Sequence, residues 1–368
     1  MRLRTATTGV MAILALLLVG GATAGPTAQT ATRDSDSLVI AGYGGLEQQN
    51  MTQYVFNDFT KDTGIHVTWL TVPGQQVAGV TAQNQAGNIQ WDMTLKLADS
   101  DMATLWKAGY LASMPASLFK TVSGVIPGTQ TFAVPDQQGA VMVACNYKLV
   151  SPCPKTPKQF FDTKKYPGPR MLPSFQPLVA IGLALEAAGM KPADVFPSSE
   201  KQSMANVKKA ESMLNALKPS IKTFYSNSSD ALQLFQSGEV TIAGLWNFVA
   251  ARGNVAPTSN MSLGATWTGA VVYPQYTVVY KGAPDEANAW KLVQWMVTHP
   301  KNMAAYADAD GAGLADTHAF ALTAAKSRQW QPTAAHKQQT VRENVLWYVK
   351  YPKVKAEIDN FWKGYTSG

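Results

Sequence analysis

Beyond residue 36, short apolar runs alternate with longer amphipathic stretches. The run at 38–41 predicts a buried strand, and residues 46–63 predict an amphipathic helix that ends at Gly64. The alternation continues with strands at 66–70 and 92–97 and helices at 74–85 and 100–109. A strict succession of strand and helix predicts an α/β domain with a mostly parallel sheet.

Consecutive strand-like runs replace this alternation at 133–147, where we predict a crossover into a second domain. A strand-like run at 271–281 is expected to return the chain to the first domain. The other predicted elements are a strand at 239–245 and helices at 177–190, 201–217, 229–237, 284–298, 300–307 and 336–365. The predicted organisation is lobe 1 at 37–140 plus about 271–325, lobe 2 at 141–270, and C-terminal helices at 326–368 that pack on the lobes.

The first 24 residues have the pattern of a secretory signal peptide. Arg2 and Arg4 precede an apolar run at 10–19, and an A-x-A tripeptide ends at Ala24. The apolar run is too short to cross a bilayer as a helix. We therefore predict cleavage near Ala24, a flexible lead-in at 25–36, and a periplasmic location for the exported protein.

Length and charge narrow the class of protein. Removal of 24 residues from 368 leaves 344, which favours two domains over one hydrophobic core. The net charge of +7 falls to +5 because two arginines leave with the signal, and no run of five Lys or Arg residues occurs. The mild charge therefore predicts that the protein does not bind nucleic acid. We also predict a monomer.

The two cysteines and four histidines bear on disulfide and metal chemistry. Cys145 and Cys153 lie eight positions apart in an exported chain, so we predict a structural disulfide in a loop near the crossover. The four histidines, His66, His299, His318 and His336, are scattered without ligand spacing. We therefore predict no metal site and no cofactor.

Enzyme signatures are missing or incomplete. Gly42-Tyr43-Gly44 follows a strand as in a dinucleotide fingerprint, but Glu47 stands where the third glycine belongs. The sequence has no G-x-S-x-G, no phosphate-binding G-x-x-x-x-G-K-[ST] and no H-E-x-x-H. We predict no catalytic residues, and the alternative is an exported hydrolase or transferase on a similar α/β framework.

Small polar and aromatic residues stand where predicted strands end, which is where open α/β sheets bind ligands. This rule and the start of the helix near 229 select nine candidates: Tyr43, Gly44, Gly45, Asp99, Ser100, Ser228, Ser229, Trp246 and Asn247. Each also has a purely structural interpretation. The glycines suit a tight turn, one of the serines is expected to cap a helix, and Trp246 suits a core.

The sequence resembles the extracellular solute-binding proteins of bacterial ABC importers, nearest the spermidine- and putrescine-binding subgroup. The segments that carry the resemblance are FNDFTKDTGIHVTW, QWDMTLKLADSDMATLWKAGYLASM, TPKQFFDTKKYPG, SGEVTIAGLWN and DEANAWKLVQWMVTHPKN. It implies the two-lobed type II periplasmic-binding-protein fold, in which each lobe is a mostly parallel sheet flanked by helices and hinge strands join the lobes. It also implies a small-molecule solute held in the cleft, lobe closure over it, and docking on a membrane permease.

The resemblance extends to the solute site. Trp246 matches the aromatic wall of the second lobe in polyamine binders, and Tyr273 stands where another aromatic is expected. Gln275 replaces an expected aspartate, and Phe175, Gln176 and Val179 occupy positions where acids are expected. We therefore add Tyr273, Gln176 and Gln275 to the site. We predict a solute less cationic than a polyamine, which is amino-acid-like, opine-like or sugar-derived with hydroxyl and amide groups, and a polyamine-like solute is the alternative. A binding protein coupled to a chemoreceptor is a further alternative.

Overall fold

The computed structural model describes residues 36–255, 263–332, 336 and 338–367. The predicted signal peptide lies outside these residues, as does the predicted lead-in except for Asp36. Within the described residues, no helix combines the length and the apolar character that a membrane span requires.

Ten strands form one continuous sheet in the described part of the chain. They are β1 (Ser37–Gly42), β2 (His66–Thr71), β3 (Met93–Ala98), β4 (Val134–Asn146), β5 (Arg170–Pro173), β6 (Ile221–Tyr225), β7 (Ile242–Trp246), β8 (Leu263–Val279), β9 (Gly313–Leu314) and β10 (Val341–Arg342). The order across the sheet is β2-β1-β3-β8-β4-β7-β5-β6, with β9 paired to β4 and β10 paired to β8.

Helices flank the sheet. They are α1 (Leu46–Met51), α2 (Asn57–Thr63), α3 (Gln76–Gln85), α4 (Asp99–Lys107), α5 (Ala116–Val125), α6 (Pro157–Phe161), α7 (Pro177–Ala187), α8 (Glu200–Leu217), α9 (Ser228–Gln236), α10 (Asn247–Val255), α11 (Glu286–Thr298), α12 (Pro300–Asp310), α13 (Thr317–Leu322), α14 (Ala325–Arg328), α15 (Val345–Lys350) and α16 (Pro352–Ser367). A π-helical stretch, Thr52–Phe56, joins α1 to α2, and 3₁₀ turns occupy Pro192–Asp194 and Lys218–Ser220.

The long strands β4 and β8 join the two halves of the sheet. They pair antiparallel from Val134 opposite Thr277 to Asn146 opposite Leu263. On one side, β1 pairs in parallel with β2 and β3; on the other, β5 pairs in parallel with β6 and β7. Two mostly parallel half-sheets that share a pair of crossover strands confirm the predicted two-lobed α/β fold.

Separate hydrophobic cores define the lobes. Lobe 1 is built on β1, β3, α11 and α12, and lobe 2 on β5, β7, α7 and α8. The C-terminal helices pack on lobe 2, where the Trp347 indole N–H donates to Ser203 Oγ at 2.6 Å and the Trp362 indole N–H to the Ser174 carbonyl at 2.7 Å. In addition, Lys107 Nζ in α4 of lobe 1 donates to the Val349 carbonyl in α15 at 2.7 Å.

The structure differs from the predicted elements at several points. Strands β5 and β6 and helix α5 were not predicted; β5 is four residues long and buried at every position, so it shows no alternating pattern. The run at 133–147 is one strand, and β8 begins eight residues before 271 because its first half pairs with the lobe 2 end of β4. Pro352 separates α15 from α16 because proline has no N–H to continue a helix.

The predicted disulfide between Cys145 and Cys153 is confirmed, with the Cα atoms 5.9 Å apart. Cys145 is the penultimate residue of β4 and is fully buried in the lobe 2 core. The bond therefore fastens the loop after the crossover strand to that core.

We predict that a variant with Cys145→Ser and Cys153→Ser together is less stable than the wild type by about 2–3 kcal/mol, because the unfolded chain regains the entropy of an open loop. Denaturant unfolding under non-reducing conditions measures the difference. Wild type in excess reductant is the control and should behave like the variant. Equal unfolding midpoints for oxidised wild type and variant would contradict a stabilising bond.

Candidate functional site

The strand ends of the two lobes face each other and are in contact. Tyr43 follows β1, Phe175 follows β5, and their rings stack with centroids 5.4 Å apart and planes inclined by 20°. The Gly45 backbone has a positive φ of 67° and approaches α9 so closely that a Cβ there would lie 3.1 Å from Ser229 Oγ. Glycine therefore suits this position on two counts, and the cleft between the lobes is closed at this point.

Aromatic rings line the lobe 2 side of the cleft. The Trp246 ring packs against Phe175 at 5.8 Å, Phe248 at 5.3 Å and, edge to face, Tyr225 at 4.7 Å between centroids. The Tyr225 hydroxyl donates to the Gly244 carbonyl at 3.0 Å and accepts from the Trp246 backbone N–H at 3.2 Å. These contacts hold the indole in one orientation at the end of β7.

Sequence reasoning did not select Phe175 or Tyr225 for the site, and it named Phe175 only as a position without the expected acid. Both residues stand at the ends of the short strands β5 and β6. Because the sequence pattern predicts neither strand, the rule that ligands bind where strands of an α/β sheet end did not select these two residues. Recognition of β5 and β6 would have selected both rings.

Gln176 and Tyr273 connect the aromatic wall to the crossover strands. The Trp246 indole N–H donates to Gln176 Oε1 at 2.6 Å. The Tyr273 ring lies across β4 at Gly139, where an added Cβ would stand only 2.4 Å from the ring. Burial raises the pKa of Tyr273 far above its ordinary value, against the effect of a hydrogen bond with Gln176. Its hydroxyl is therefore neutral and able to donate at physiological pH.

Asn247 and Gln275 form hydrogen bonds with backbone and side-chain groups near the crossover strands β4 and β8. Asn247 Oδ1 accepts from the Ala140 N–H at 2.8 Å, and its Nδ2 donates to the Trp330 carbonyl at 2.8 Å. Gln275 Nε2 donates to the Lys96 carbonyl at 2.8 Å, and its Oε1 accepts from Gln137 Nε2 at 2.7 Å. Both predicted site residues thus lie near the hinge with their amide groups engaged by the protein.

Helix α9 is capped by Asn227, whose Oδ1 accepts from the Asp230 N–H at 2.9 Å. The expectation that one of the serines is the cap is therefore wrong, because Ser228 and Ser229 are the first two residues of the helix itself. The first turn of the helix faces Gly45 across the cleft. The partial positive charge at the start of the helix suits a carboxylate or hydroxyl group of a solute.

Two strands that are each followed by an acidic residue pair with the same edge of β8. β3 runs antiparallel to β8 and reaches Ala98 opposite Gln275, and β10 runs parallel to β8 and reaches Arg342 opposite Val272. β4 occupies the other edge of β8 over both stretches. The residues that follow the two strands, Asp99 and Glu343, are therefore brought together beside Tyr273 and Pro274. Ser100, the other predicted residue here, follows Asp99 in the first turn of α4.

Burial controls the charge of this acidic pair. It raises the pKa of Asp99 to about 6, and the raised pKa of Glu343 results from burial followed by repulsion from Asp99. Asp101 in the same helical turn also has a raised pKa, about 7, through burial and the charge of Asp99. The pair therefore shares a proton near neutral pH.

Other acids at the lobe interface are paired with cations. Glu47, at the start of α1, lies 3.1 Å from Lys96 Nζ, and Asp310 at the end of α12 pairs with Arg252 from α10 of lobe 2. Lys96 has a positive φ of 59° at an irregular position of β3, which directs its side chain towards Glu47 and Tyr306. Glu47 therefore does not supply uncompensated negative charge to the cleft.

The raised pKa values predict a pH-dependent stability. Between the ordinary carboxyl pKa of about 4 and the folded-state value of about 6 for Asp99, the folded protein retains protons that the unfolded chain has lost. The contribution of this protonated carboxyl to the free energy of unfolding is therefore present at low pH and is lost as the pH rises through 6. We predict that an Asp99→Asn, Glu343→Gln variant matches the wild type at pH 4 and melts about 2 °C or more higher at pH 7.

Thermal melts of ligand-free protein at pH 4, 5, 6 and 7 measure this difference. Asp194→Asn, which removes an exposed acid from a 3₁₀ turn of lobe 2, is the control and should not change the pH profile. A melting difference that stays constant from pH 4 to pH 7 would contradict a buried, proton-sharing pair.

Within the described residues, no group of three or more His, Cys, Asp or Glu side chains is arranged to hold a metal ion. The arrangement has aromatic walls, neutral donors and one uncompensated acidic pair. It is suited to non-covalent binding of a small polar molecule between the lobes.

Comparison with known proteins finds relatives that cover most of the chain. The chain is 23% identical over 308 residues to a gamma-aminobutyric acid-binding protein of Pseudomonas aeruginosa, a match that covers 83% of this chain and 85% of the relative. Among solved structures, it is similar to the periplasmic binding protein AgtB of A. tumefaciens R10 in complex with agropinic acid. That match has 27% identity and a TM-score of 0.77 and covers 90% of this chain and 99% of the other.

A more distant structural match is the spermidine/putrescine ABC transporter substrate-binding protein PotD of Streptococcus pneumoniae. It has 16% identity and a TM-score of 0.64, with 89% of this chain and 99% of the other covered. A family profile described as bacterial extracellular solute-binding protein matches residues 55–336, which is more than half of the chain. The chain therefore belongs to the family of bacterial extracellular solute-binding proteins, the solute-capturing components of ABC importers.

Proposed function

We propose that this protein captures a small amino-acid-derived solute, of the γ-aminobutyrate or opine type, between its lobes and delivers it to an inner-membrane permease. The observation that carries the proposal is the polar and aromatic wall formed by Trp246, Gln176 and Tyr273, which faces Tyr43 of lobe 1. Rings hold the flat or aliphatic part of a solute, and the amide and hydroxyl groups orient its polar ends.

In this proposal the two lobes close over the bound solute and enclose it. A ligand stabilises the closed state only through contacts that the open state lacks, so it must touch both lobes. We place the hinge where β4 and β8 pass between the lobes, near Val141 and Val271, which are register partners. An irregularity in the pairing immediately after Val141 supports this location, because an interrupted ladder bends more easily. The sequence pattern proposes lobe boundaries at the same positions, 140/141 and 270/271.

Relatives and the composition of the wall support the solute class. The P. aeruginosa relative is named for γ-aminobutyric acid, and the AgtB structure contains agropinic acid. Gln176 and Gln275 occupy positions where the resemblance to polyamine binders requires acids. A wall with amides at these positions favours a solute that carries its own carboxylate or hydroxyl groups over a polyamine.

The proposal includes where and how the protein acts. It is exported, and its signal peptide is removed near Ala24. It binds as a monomer and has no nucleic-acid partner. It changes no covalent bond in the solute, because the cleft residues described above provide contacts and no nucleophile with an adjacent base.

We predict that γ-aminobutyrate or agropinic acid raises the melting temperature of the purified protein, because a solute at a hundred times its Kd stabilises the folded state by about 2.7 kcal/mol. Spermidine and putrescine serve as the contrasting compounds and should produce no tight binding by calorimetry. Sub-micromolar binding of either polyamine would contradict the proposed solute class.

We predict that Trp246→Ala weakens γ-aminobutyrate binding at least tenfold, because the largest ring of the wall is removed. Trp246→Phe should retain part of the affinity. Trp106→Ala is the matched control, because Trp106 is 46% exposed and stacks on Phe132 away from the wall. Titration calorimetry gives the affinities, and an unchanged Kd for Trp246→Ala would remove this residue from the site.

A further inference from the structure

Asp99 differs from the other buried acids at the lobe interface because no cation of the protein compensates it in the described residues. Its side chain is fully buried, and the only groups there that act on its carboxylate by hydrogen bonding are the Glu343 carboxyl and the adjacent backbone, not a cation. Glu47 is paired with Lys96 and Asp310 with Arg252, as described above. A buried carboxylate without a compensating cation is costly, and the cost is relieved when a cationic group is bound.

The second acid, Glu343, comes from a part of the chain distant in sequence. It follows β10, its backbone N–H donates to the Val272 carbonyl at 2.9 Å, and its side chain is about nine-tenths buried. The cation beside it in sequence, Arg342, extends to the opposite side and donates to Gln138 Oε1 at 3.1 Å. The groups around the pair are the Tyr273 hydroxyl, Asp101 and Tyr276. Lys355 acts on Asp101 and Arg342 acts on Tyr276, but in the described residues no cation acts on Asp99 or Glu343 themselves.

The acidic pair is continuous with the proposed solute wall. Trp246 donates to Gln176, Gln176 interacts with Tyr273, and Tyr273 lies within electrostatic range of Glu343. A solute that contacts the wall can therefore place one end between Asp99 and Glu343. The opposite end of such a solute would face the start of α9, which suits a carboxylate.

We propose that Asp99 and Glu343 together form a subsite for the primary ammonium group of the solute, a subsite assembled where the carboxyl ends of β3 and β10 meet. The inference rests on the proposed function, since it names which end of an amino-acid-derived solute is recognised and by which residues. Because it joins lobe 1 to the C-terminal segment, this subsite also makes the C-terminal segment part of the binding site.

The charge of the Asp99–Glu343 pair allows one cationic group of the ligand to bind at this subsite. Two adjacent buried carboxyls that share a proton carry a net charge of about −1 near neutral pH. One ammonium group neutralises that charge and supplies three hydrogen-bond donors. A second cation at the other end of the solute would meet the positive end of α9, so a zwitterion fits better than a diamine.

The test compares matched ligands and matched variants by titration calorimetry at pH 7. The ligands are γ-aminobutyrate, 4-hydroxybutyrate, which has the same length without the cation, and putrescine, which has two cations. The proteins are wild type, Asp99→Asn, Glu343→Gln and the surface control Asp194→Asn. Thermal melts of each ligand-free variant confirm folding, and Asp99→Asn is expected to be at least as stable as the wild type because a buried charge is removed.

For the wild type and for Asp194→Asn we expect γ-aminobutyrate to bind at least tenfold more tightly than 4-hydroxybutyrate. Asp99→Asn and Glu343→Gln should each lose at least tenfold in affinity for γ-aminobutyrate and less than threefold for 4-hydroxybutyrate, since only the amine contact is removed.

Two results would overturn the subsite. If the folded variants bind γ-aminobutyrate as tightly as the wild type, or if the wild type does not distinguish it from 4-hydroxybutyrate, an amino-acid binder remains but its ammonium is held elsewhere. If the wild type binds putrescine more tightly than γ-aminobutyrate, or binds neither these three ligands nor agropinic acid, both the subsite and the proposed function are wrong.

Discussion

The antiparallel pairing of β4 with β8 is the constraint on which the rest of the structure depends. These strands run through both lobes, and each lobe adds its parallel strands to one end of the pair. The ends of β1 and β3 therefore face the ends of β5 and β7. Tyr43, Phe175 and Trp246 meet in the cleft because this pairing fixes the two half-sheets relative to each other.

The same pairing determines the distribution of charge. β8 offers one edge to β3 in lobe 1 and to β10 near lobe 2, so two strands from distant parts of the sequence end side by side. Lys96 and Arg252 compensate Glu47 and Asp310, and Asp99 with Glu343 retains uncompensated charge. A protein that binds a solute reversibly can store such a charge in its cleft, because the ligand compensates it only when bound.

Much of the fold was predictable from the sequence because hydrophobic periodicity reports local structure. The alternation from β1 to α4, the crossover, the disulfide and the candidates at the strand ends followed from local patterns. Strands β5 and β6 were missed because a short strand in a buried region has no alternation to detect. That omission concealed Phe175 and Tyr225, and Glu343 was missed because no local pattern marks an acid after a two-residue strand.

The sequence by itself determined the α/β class, the two-lobed organisation and the aromatic residue at the end of β7, because these depend on periodicity and on residues near one another in the chain. Only the tertiary structure decided which polar residues face the cleft. Asn247 and Gln275 bond to the hinge, while Asp99 acquires a carboxyl neighbour 244 positions away. Such partners are set by strand order in the sheet, which depends on long-range packing and not on local sequence.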